Sequence, residues 1–165
     1  MSRVYIAAGS NIRPAEQMVL AARELQRRFA GIRFSGCYRN AAFGFEGEDF
    51  INAVAGFDTP LSAQALITQL HEVEALCGRG RDDAKWAPRA MDLDLLLYDD
   101  LVAETPLYKL PRPDLLRRPY MLGPLAELAP ALRHPLAGRS IGELWQAFDR
   151  NAHPMERLKL DLNCP

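Results

Sequence analysis

The chain has 165 residues, of which 48% are hydrophobic and 25% charged, and its formal net charge is −1. This is the composition of an ordinary globular protein, and the length suits one domain spanning residues 1–165. A near-neutral chain lacks the basic surface of a nucleic-acid binder or of a protein that binds anionic membranes, so neither partner is expected. Three widely spaced cysteines without a C-x-x-C pair predict reduced thiols in a cytoplasmic protein.

The first half of the chain alternates apolar runs with stretches of helical periodicity. Apolar runs predict three strands, at residues 4–8, 32–38 and 50–57. Apolar residues at helical spacing predict one helix after Pro14 and a second after Ser62, which suits an N-cap. Gly31 and Gly78 are the residue type that commonly follows the last turn of a helix. We therefore expect the order strand, helix, strand, strand, helix before residue 79.

The second half begins with a short Leu-rich run at residues 91–98, which predicts a buried fourth strand. A short edge hairpin at 101–110 and helices at 122–128 and 141–148 follow it. The resulting order is that of a ferredoxin-like βαββαβ core in the α+β class. We expect a largely antiparallel sheet with helices packed on one face, followed by a C-terminal extension.

The fourth predicted strand carries two carboxylates, Asp92 and Asp94. Successive side chains of a strand alternate between faces, so both carboxylates point the same way and Leu93 points oppositely. Two like charges on a core strand repel each other, and Mg²⁺ accepts such oxygen ligands together with water and phosphate. The pair therefore indicates a magnesium site, although a bare D-x-D also fits a solvated strand end with Arg89 as its counter-ion.

Lys85 and Arg89 precede this strand and add positive charge beside the carboxylates. Pro88 stops any helix here, and arginine offers five donors in a fixed geometry. Cations close to a paired-carboxylate metal site favour an anionic ligand, and phosphate is the leading candidate.

The stretch W-A-P-R-A-M-D-L-D-L-L-L at residues 86–97 resembles the signature of the 6-hydroxymethyl-7,8-dihydropterin pyrophosphokinase family. The resemblance covers nearly the whole chain, and further matches occur at Gly9-Ser10-Asn11, Tyr38-Arg39, Phe50-Ile51-Asn52, Glu74, Gly78-Arg79, and within 118–130. It implies transfer of diphosphate from ATP to the hydroxymethyl group of a dihydropterin, which gives AMP. Such a transfer depends on alignment and charge neutralisation more than on covalent help.

The resemblance also implies which residues contact metal and ATP. Asp92 and Asp94 would hold two Mg²⁺ ions that bridge the triphosphate, and Asp92 would lie beside the hydroxymethyl group. The implied catalytic residues are Asp92, Asp94, Arg89 and Arg79. The implied ATP-binding residues are Glu74, Arg79, Arg81, Arg89, Arg112 and Arg118.

A pterin ring requires a paired donor and acceptor at its edge and an aromatic stacking surface. The amide of Asn52 supplies both the donor and the acceptor, and Phe50 lies on the same predicted strand face. The resemblance implies stacking by Phe43 or Phe45 and by Tyr120, with Trp86 closing over the substrate. The implied pterin-binding residues are Asn40, Phe43, Phe50, Asn52, Trp86 and Tyr120.

Two segments depart from the family pattern. Pro111-Arg112-Pro113 stands where the family usually carries a histidine near the ATP phosphates, and the pterin loop at residues 40–44 has an altered sequence. Either Arg112 supplies the histidine's positive charge, or its side chain points to solvent.

Three functions follow from these observations. The first is an ATP- and Mg²⁺-dependent pyrophosphokinase, acting as a monomer on small molecules only. The second is a diverged paralogue that binds pterin or ATP but transfers slowly or acts on another pterin. Arg112 and the altered loop favour it, whereas four residues disfavour it: Asp92, Asp94, Arg89 and Asn52. The third is a ferredoxin-like RNA-binding module, which the near-neutral charge and the missing aromatic sheet motif disfavour.

Overall fold

The computed structural model describes residues 1–40, 49–78, 90–152 and 154–164. Its strands are β1 (Ser2–Ser10), β2 (Arg33–Phe34), β3 (Tyr38–Asn40), β4 (Phe50–Thr59), β5 (Asp92–Tyr98), β6 (Ala103–Glu104), β7 (Lys109–Leu110) and β8 (Glu156–Arg157). Its helices are α1 (Pro14–Arg28), α2 (Ala63–Leu76), α3 (Pro119–Leu128) and α4 (Ile141–Ala147), and a 3₁₀ helix spans Pro113–Leu116. The βαββαβ order predicted for the first hundred residues is present when β2 and β3 are counted together as its second strand.

The main sheet has six strands in the order β5-β1-β4-β3-β8, and β2 also pairs with β4. Every pairing is antiparallel. β1 lies between β4 and β5, so the first strand of the chain is flanked by the two strands that carry Asn52 and the aspartates. β6 and β7 form a separate two-stranded hairpin, as predicted for residues 101–110.

The second predicted strand, 32–38, is divided into β2 and β3. Ser35 lies in the interruption, where its N–H donates to the Val54 carbonyl and its hydroxyl accepts from the Val54 N–H. A side chain thus replaces one carbonyl of the ladder, and the next N–H, that of Gly36, donates to Glu127 instead. The prediction of one continuous strand was wrong because side-chain bonds of this kind leave no mark on apolar periodicity.

Helices pack on both faces of the sheet rather than on one. α1 and α2 cover the face that buries Ile6 and Leu95, whereas α3 and α4 cover the face that buries Ala7 and Leu96. A shift of register opposite Tyr5 and Ile6 turns both Leu96 and Leu97 toward α3. The C-terminal extension therefore supplies a second helical layer, which the prediction of helices on one face had omitted.

The predicted helix ends are partly confirmed. The Ser62 hydroxyl caps α2 by accepting from the Ala65 N–H. α1 ends at Arg28 and α2 at Leu76, and in each case a glycine with positive φ, Gly31 or Gly78, follows after the cap residue. Among the described residues, no helix combines the length and the apolar character that crossing a bilayer requires.

His134 is buried in the turn that precedes α4, and its side chain holds that turn together. Its Nδ1 atom accepts hydrogen bonds from the N–H groups of Leu136 and Ala137, at 3.1 and 3.0 Å. Burial lowers the pKa of His134. A histidine whose folded pKa lies below its unfolded pKa stabilises the fold above about pH 6.5, and this stabilisation is lost as the pH falls below that value.

We expect the free energy of unfolding to fall more steeply between pH 8 and pH 5 in the wild type than in His134→Asn. The asparagine amide oxygen can accept the same two N–H groups but does not titrate. The difference between the two proteins should grow as the pH falls, as measured by urea unfolding at both pH values. Parallel pH profiles would contradict this role of His134.

Candidate active site

Four residues form a row across the face of the sheet that α3 partly covers. Asp92 of β5 lies opposite Gly9 of β1, Gly9 lies opposite Asn52 of β4, and Asn52 lies opposite Tyr38 of β3. Directly opposite residues share a face. With neighbouring strands about 4.8 Å apart, the Cα atoms of Asp92 and Asn52 are about 10 Å apart.

Asp92 and Asp94 point to this face, while Leu93 and Leu95 between and beside them are buried against α1 and α2. Burial, and then the charge of Asp92, raise the pKa of Asp94 to about 7, and the guanidinium of Arg112 opposes this rise. The carboxylate pair is therefore held in a position where its negative charge is unfavourable without a cation.

Glu74 fixes the backbone between the two aspartates. Its buried carboxylate accepts a hydrogen bond from the Leu93 N–H at 2.7 Å. β5 lies at the edge of the sheet, so this N–H needs a partner other than a strand, and α2 supplies it. The observed contact of Glu74 is thus with the strand that carries the aspartates, and its predicted contact with ATP stays a prediction.

The donor set fits a cation that keeps part of its water and takes phosphate as a further ligand. In the described part of the chain, no three His, Cys, Asp or Glu side chains are grouped so as to hold a metal. Mg²⁺ is commonly bound by one or two carboxylates together with substrate phosphates rather than by an all-protein cage. Two same-face carboxylates, one with a strongly raised pKa, match that kind of site.

Arg112 contacts the aspartate pair directly. Its Nη2 lies 3.5 Å from Oδ1 of Asp94, and its Nε lies 3.7 Å from Oδ2 of Asp114. The Arg112 side chain is 37% exposed, so it does not extend freely into solvent. Of the two alternatives left open by the sequence, the structure thus places the guanidinium against the site.

Asn52 lies directly over Gly9. A Cβ atom at position 9 would stand 2.5 Å from Oδ1 of Asn52, so only glycine leaves room for this amide. Nδ2 of Asn52 donates to Oδ1 of Asn40, which fixes the orientation of the Asn52 amide. Among the described residues its oxygen and second N–H make no other hydrogen bond, so both can pair with a ligand.

Tyr120 and Arg118 approach the same face from the start of α3. Tyr120 is partly buried against the core on this side. Burial raises the pKa of the Tyr120 hydroxyl, Arg118 lowers it, and the carboxylates of Asp114, Asp94 and Asp92 raise it further. The Tyr120 ring is therefore near both the acidic pair and a basic residue, as an aromatic wall of the site would be.

Residues 5–130 match the family model described as 7,8-dihydro-6-hydroxymethylpterin-pyrophosphokinase. The chain belongs to this family. A relative from Aquifex aeolicus is 37% identical over 145 residues, covering 87% of this chain and 90% of the relative. A relative from Pseudomonas aeruginosa is 36% identical, covering 89% of this chain and 92% of its own length. Both are named 2-amino-4-hydroxy-6-hydroxymethyldihydropteridine pyrophosphokinase.

Solved structures show the same fold. The chain is similar to Plasmodium falciparum HPPK-DHPS, crystallised as the wild type with pteroate, with a TM-score of 0.70 and 11% sequence identity. The match covers 88% of this chain, which spans only 42% of that longer protein. The predicted family and the α+β fold class are thus confirmed.

Members of the pyrophosphokinase family use ATP as co-substrate, and the activity of this chain is an ATP-dependent diphosphate transfer in folate biosynthesis. The predicted enzyme class is confirmed by the relatives that share over a third of its sequence. The comparisons give no support to the slowly transferring paralogue.

Several predicted pyrophosphokinase residues lie outside the described ranges. They are Phe43, Arg79, Arg81, Trp86 and Arg89, together with Lys85 and the alternative Phe45. The structure brings the other predicted residues together at one end of the sheet: Asp92, Asp94, Asn52, Asn40, Phe50, Glu74, Arg112, Arg118 and Tyr120.

Sequence reasoning matched Gly9-Ser10-Asn11 to the family but missed the place of Gly9 between Asp92 and Asn52, and it missed the residues that anchor Tyr38. The predicted strand ended at residue 8, whereas β1 extends to Ser10, and a glycine within a strand often marks a close approach of another group. The Tyr38 hydroxyl donates to Glu127 of α3, and Arg157 of β8 donates to both, at 2.6 Å from Glu127 and 3.0 Å from Tyr38. These partners come from distant parts of the chain, so no local pattern could have indicated them.

Proposed function

We propose that the diphosphate transfer takes place on the sheet face that carries Asp92, Gly9 and Asn52. The observation that carries this proposal is the strand register, which sets a carboxylate pair and a pterin-matching amide on either side of a glycine. The substrates are ATP and 6-hydroxymethyl-7,8-dihydropterin, and the products are AMP and the pterin diphosphate. The Cα atoms of Asp92 and Asn52 are about 10 Å apart across this row.

In this arrangement the amide of Asn52 lies over Gly9, and the amidine-like edge of the pterin ring pairs with that amide. The Asn52 oxygen accepts from the ring and its free N–H donates to it, while Asn40 keeps the amide from rotating. Tyr120 covers the ring from the α3 side, and Phe50 closes the pocket on the strand that carries Asn52. The hydroxymethyl group then points along the row toward Asp92.

The transfer forms one bond and breaks one. The hydroxymethyl oxygen bonds to the β-phosphorus of ATP, and the bond from that phosphorus to the oxygen shared with the α-phosphate breaks, so that AMP leaves. Asp92 orients the hydroxyl and takes its proton, because it ends the row at the hydroxymethyl position. Arg112 and Arg118 neutralise the charge that accumulates on the phosphate oxygens.

Asp92 and Asp94 are the residues that would hold Mg²⁺, with two ions expected. When bound, the ions neutralise phosphate charge and align the reacting oxygens. Glu74 serves this site by holding the Leu93 N–H and thereby fixing the spacing of the two carboxylates. The raised pKa of Asp94 supports this assignment, since a nearby divalent charge favours the ionised carboxylate.

We further propose that the chain acts as a monomeric single domain of residues 1–165 in the cytoplasm, with small molecules as its only partners. The near-neutral charge supports the absence of nucleic-acid and membrane partners.

The nucleotide product tests the reaction. The protein should be incubated with Mg²⁺, hydroxymethyl-dihydropterin and ATP labelled on its γ-phosphate. We expect AMP, with the label transferred to the pterin, and no label released as free phosphate. Formation of ADP would indicate transfer of a single phosphoryl group, and the absence of any pterin-dependent product would favour a protein that only binds its ligands.

A further inference from the structure

Arg112 is held in place by its backbone at the outer edge of β5. Its N–H donates to the Leu96 carbonyl at 3.0 Å, and its own carbonyl accepts from the Leu115 N–H at 3.1 Å. Pro111 and Pro113 on either side restrict the backbone further. The Cα position of Arg112 is therefore fixed beside the aspartates, and only the side chain can change its direction.

The guanidinium, in contrast, is held by charge rather than by well-formed hydrogen bonds. Its carboxylate partners among the described residues, Asp94 and Asp114, lie at 3.5 and 3.7 Å, beyond the usual length of an N–H to oxygen bond. Its Nε is buried and makes no hydrogen bond within the part of the chain that the structure describes. A group bound in this way can leave Asp94 without breaking a directional bond.

We propose that Arg112 is an internal counter-ion of the Asp92–Asp94 pair, which occupies Asp94 until a cation arrives together with a nucleotide. The inference rests on the proposed metal site at these two aspartates. A positive charge 3.5 Å from a ligand oxygen repels an incoming divalent cation, so a free metal ion binds poorly. A metal ion that arrives bound to a triphosphate brings negative charge with it, and the released guanidinium then has phosphate oxygens to bind.

This coupling makes metal binding depend on nucleotide binding. Because the same side chain opposes one ligand and favours the other, removing it should change the two affinities in opposite directions. A residue that only helps to bind phosphate would leave the affinity for the free metal unchanged. A residue that only stabilises the fold would weaken both affinities.

The test is a titration of Mn²⁺, followed by electron paramagnetic resonance, with the wild type and Arg112→Ala, with and without a non-hydrolysable ATP analogue. We expect Arg112→Ala to bind Mn²⁺ alone about tenfold more tightly than the wild type. We expect it to bind the Mn²⁺ complex of the analogue about tenfold more weakly. Arg112→Lys, which keeps the charge, should resemble the wild type in both titrations.

Two further variants separate this inference from the metal assignment. Arg117→Ala removes an exposed arginine from the same segment and should change neither affinity. Asp94→Asn should weaken Mn²⁺ binding in the wild-type and Arg112→Ala backgrounds alike, and an unchanged affinity there would reject the metal site itself. If Asp94→Asn behaves as expected but Arg112→Ala binds Mn²⁺ alone no more tightly than the wild type, the counter-ion role is overturned.

Discussion

Asp94→Ala should lower kcat/KM by about 10³-fold or more while the protein stays folded. The variant removes one of two carboxylates proposed to hold the metal ions, and loss of such charge neutralisation costs several kcal/mol in the transition state. Stability should not fall, because burial and the charge of Asp92 already disfavour the ionised Asp94 side chain without metal. Steady-state kinetics at saturating Mg²⁺ and thermal unfolding of the metal-free protein measure the two effects.

Asp100→Ala provides the matched control for this prediction. Asp100 is an exposed aspartate in the turn directly after β5, away from the carboxylate pair. The Asp100→Ala variant should keep nearly the activity and the stability of the wild type. Turnover of Asp94→Ala close to that of Asp100→Ala would remove Asp94 from the site.

Gly9→Ala and Asn52→Ala should each raise the KM for the pterin by about 100-fold and leave ATP binding intact. Asn52→Ala removes two hydrogen bonds to the ring, which together are worth about 3 kcal/mol. Gly9→Ala keeps the amide but places a Cβ atom 2.5 Å from its oxygen, so the amide must turn away from the pocket. Pterin kinetics at saturating ATP measure the change in KM for the pterin, and direct titration of an ATP analogue measures ATP binding separately.

Gly56→Ala controls for crowding of the same sheet. A Cβ atom at position 56 would stand 2.7 Å from the Tyr5 ring, on the strand that carries Asn52 but away from the site. This variant should be less stable than the wild type and yet keep its KM for the pterin. If Gly9→Ala also keeps that KM, the room that Gly9 leaves for the Asn52 amide does not matter for pterin binding.

The sequence predicted the chemistry of the site better than its assembly. Strand alternation alone placed Asp92 and Asp94 on one face, because period-two geometry is a local property of the chain. The row from Asp92 through Gly9 to Asn52 depends on the register of strands that are far apart in sequence, and nothing local specifies that register. The central position of β1 therefore became apparent only from the fold.

Other features depend on side chains whose partners are distant. Glu74 was predicted at the margin of a helix stripe, and only packing of α2 against β5 brings its carboxylate to the Leu93 N–H. The sequence left two roles open for Arg112, phosphate binding or exposure to solvent. It does not show that the Arg112 backbone pairs with Leu96 beside Asp94. The second helical layer was missed because the apolar faces of α3 and α4 do not indicate which side of the sheet they cover.

The central claim is that metal and pterin bind side by side on one sheet face, with Gly9 between their ligands. It is tested most directly by nuclear relaxation of the bound pterin, with Mn²⁺ in place of Mg²⁺ and a non-hydrolysable ATP analogue present. We predict that the hydroxymethyl protons relax fastest of all pterin protons, at a distance from Mn²⁺ below about 10 Å, the separation of Asp92 from Asn52. Equal relaxation of all pterin protons, or none beyond that seen with Mg²⁺, would contradict the arrangement.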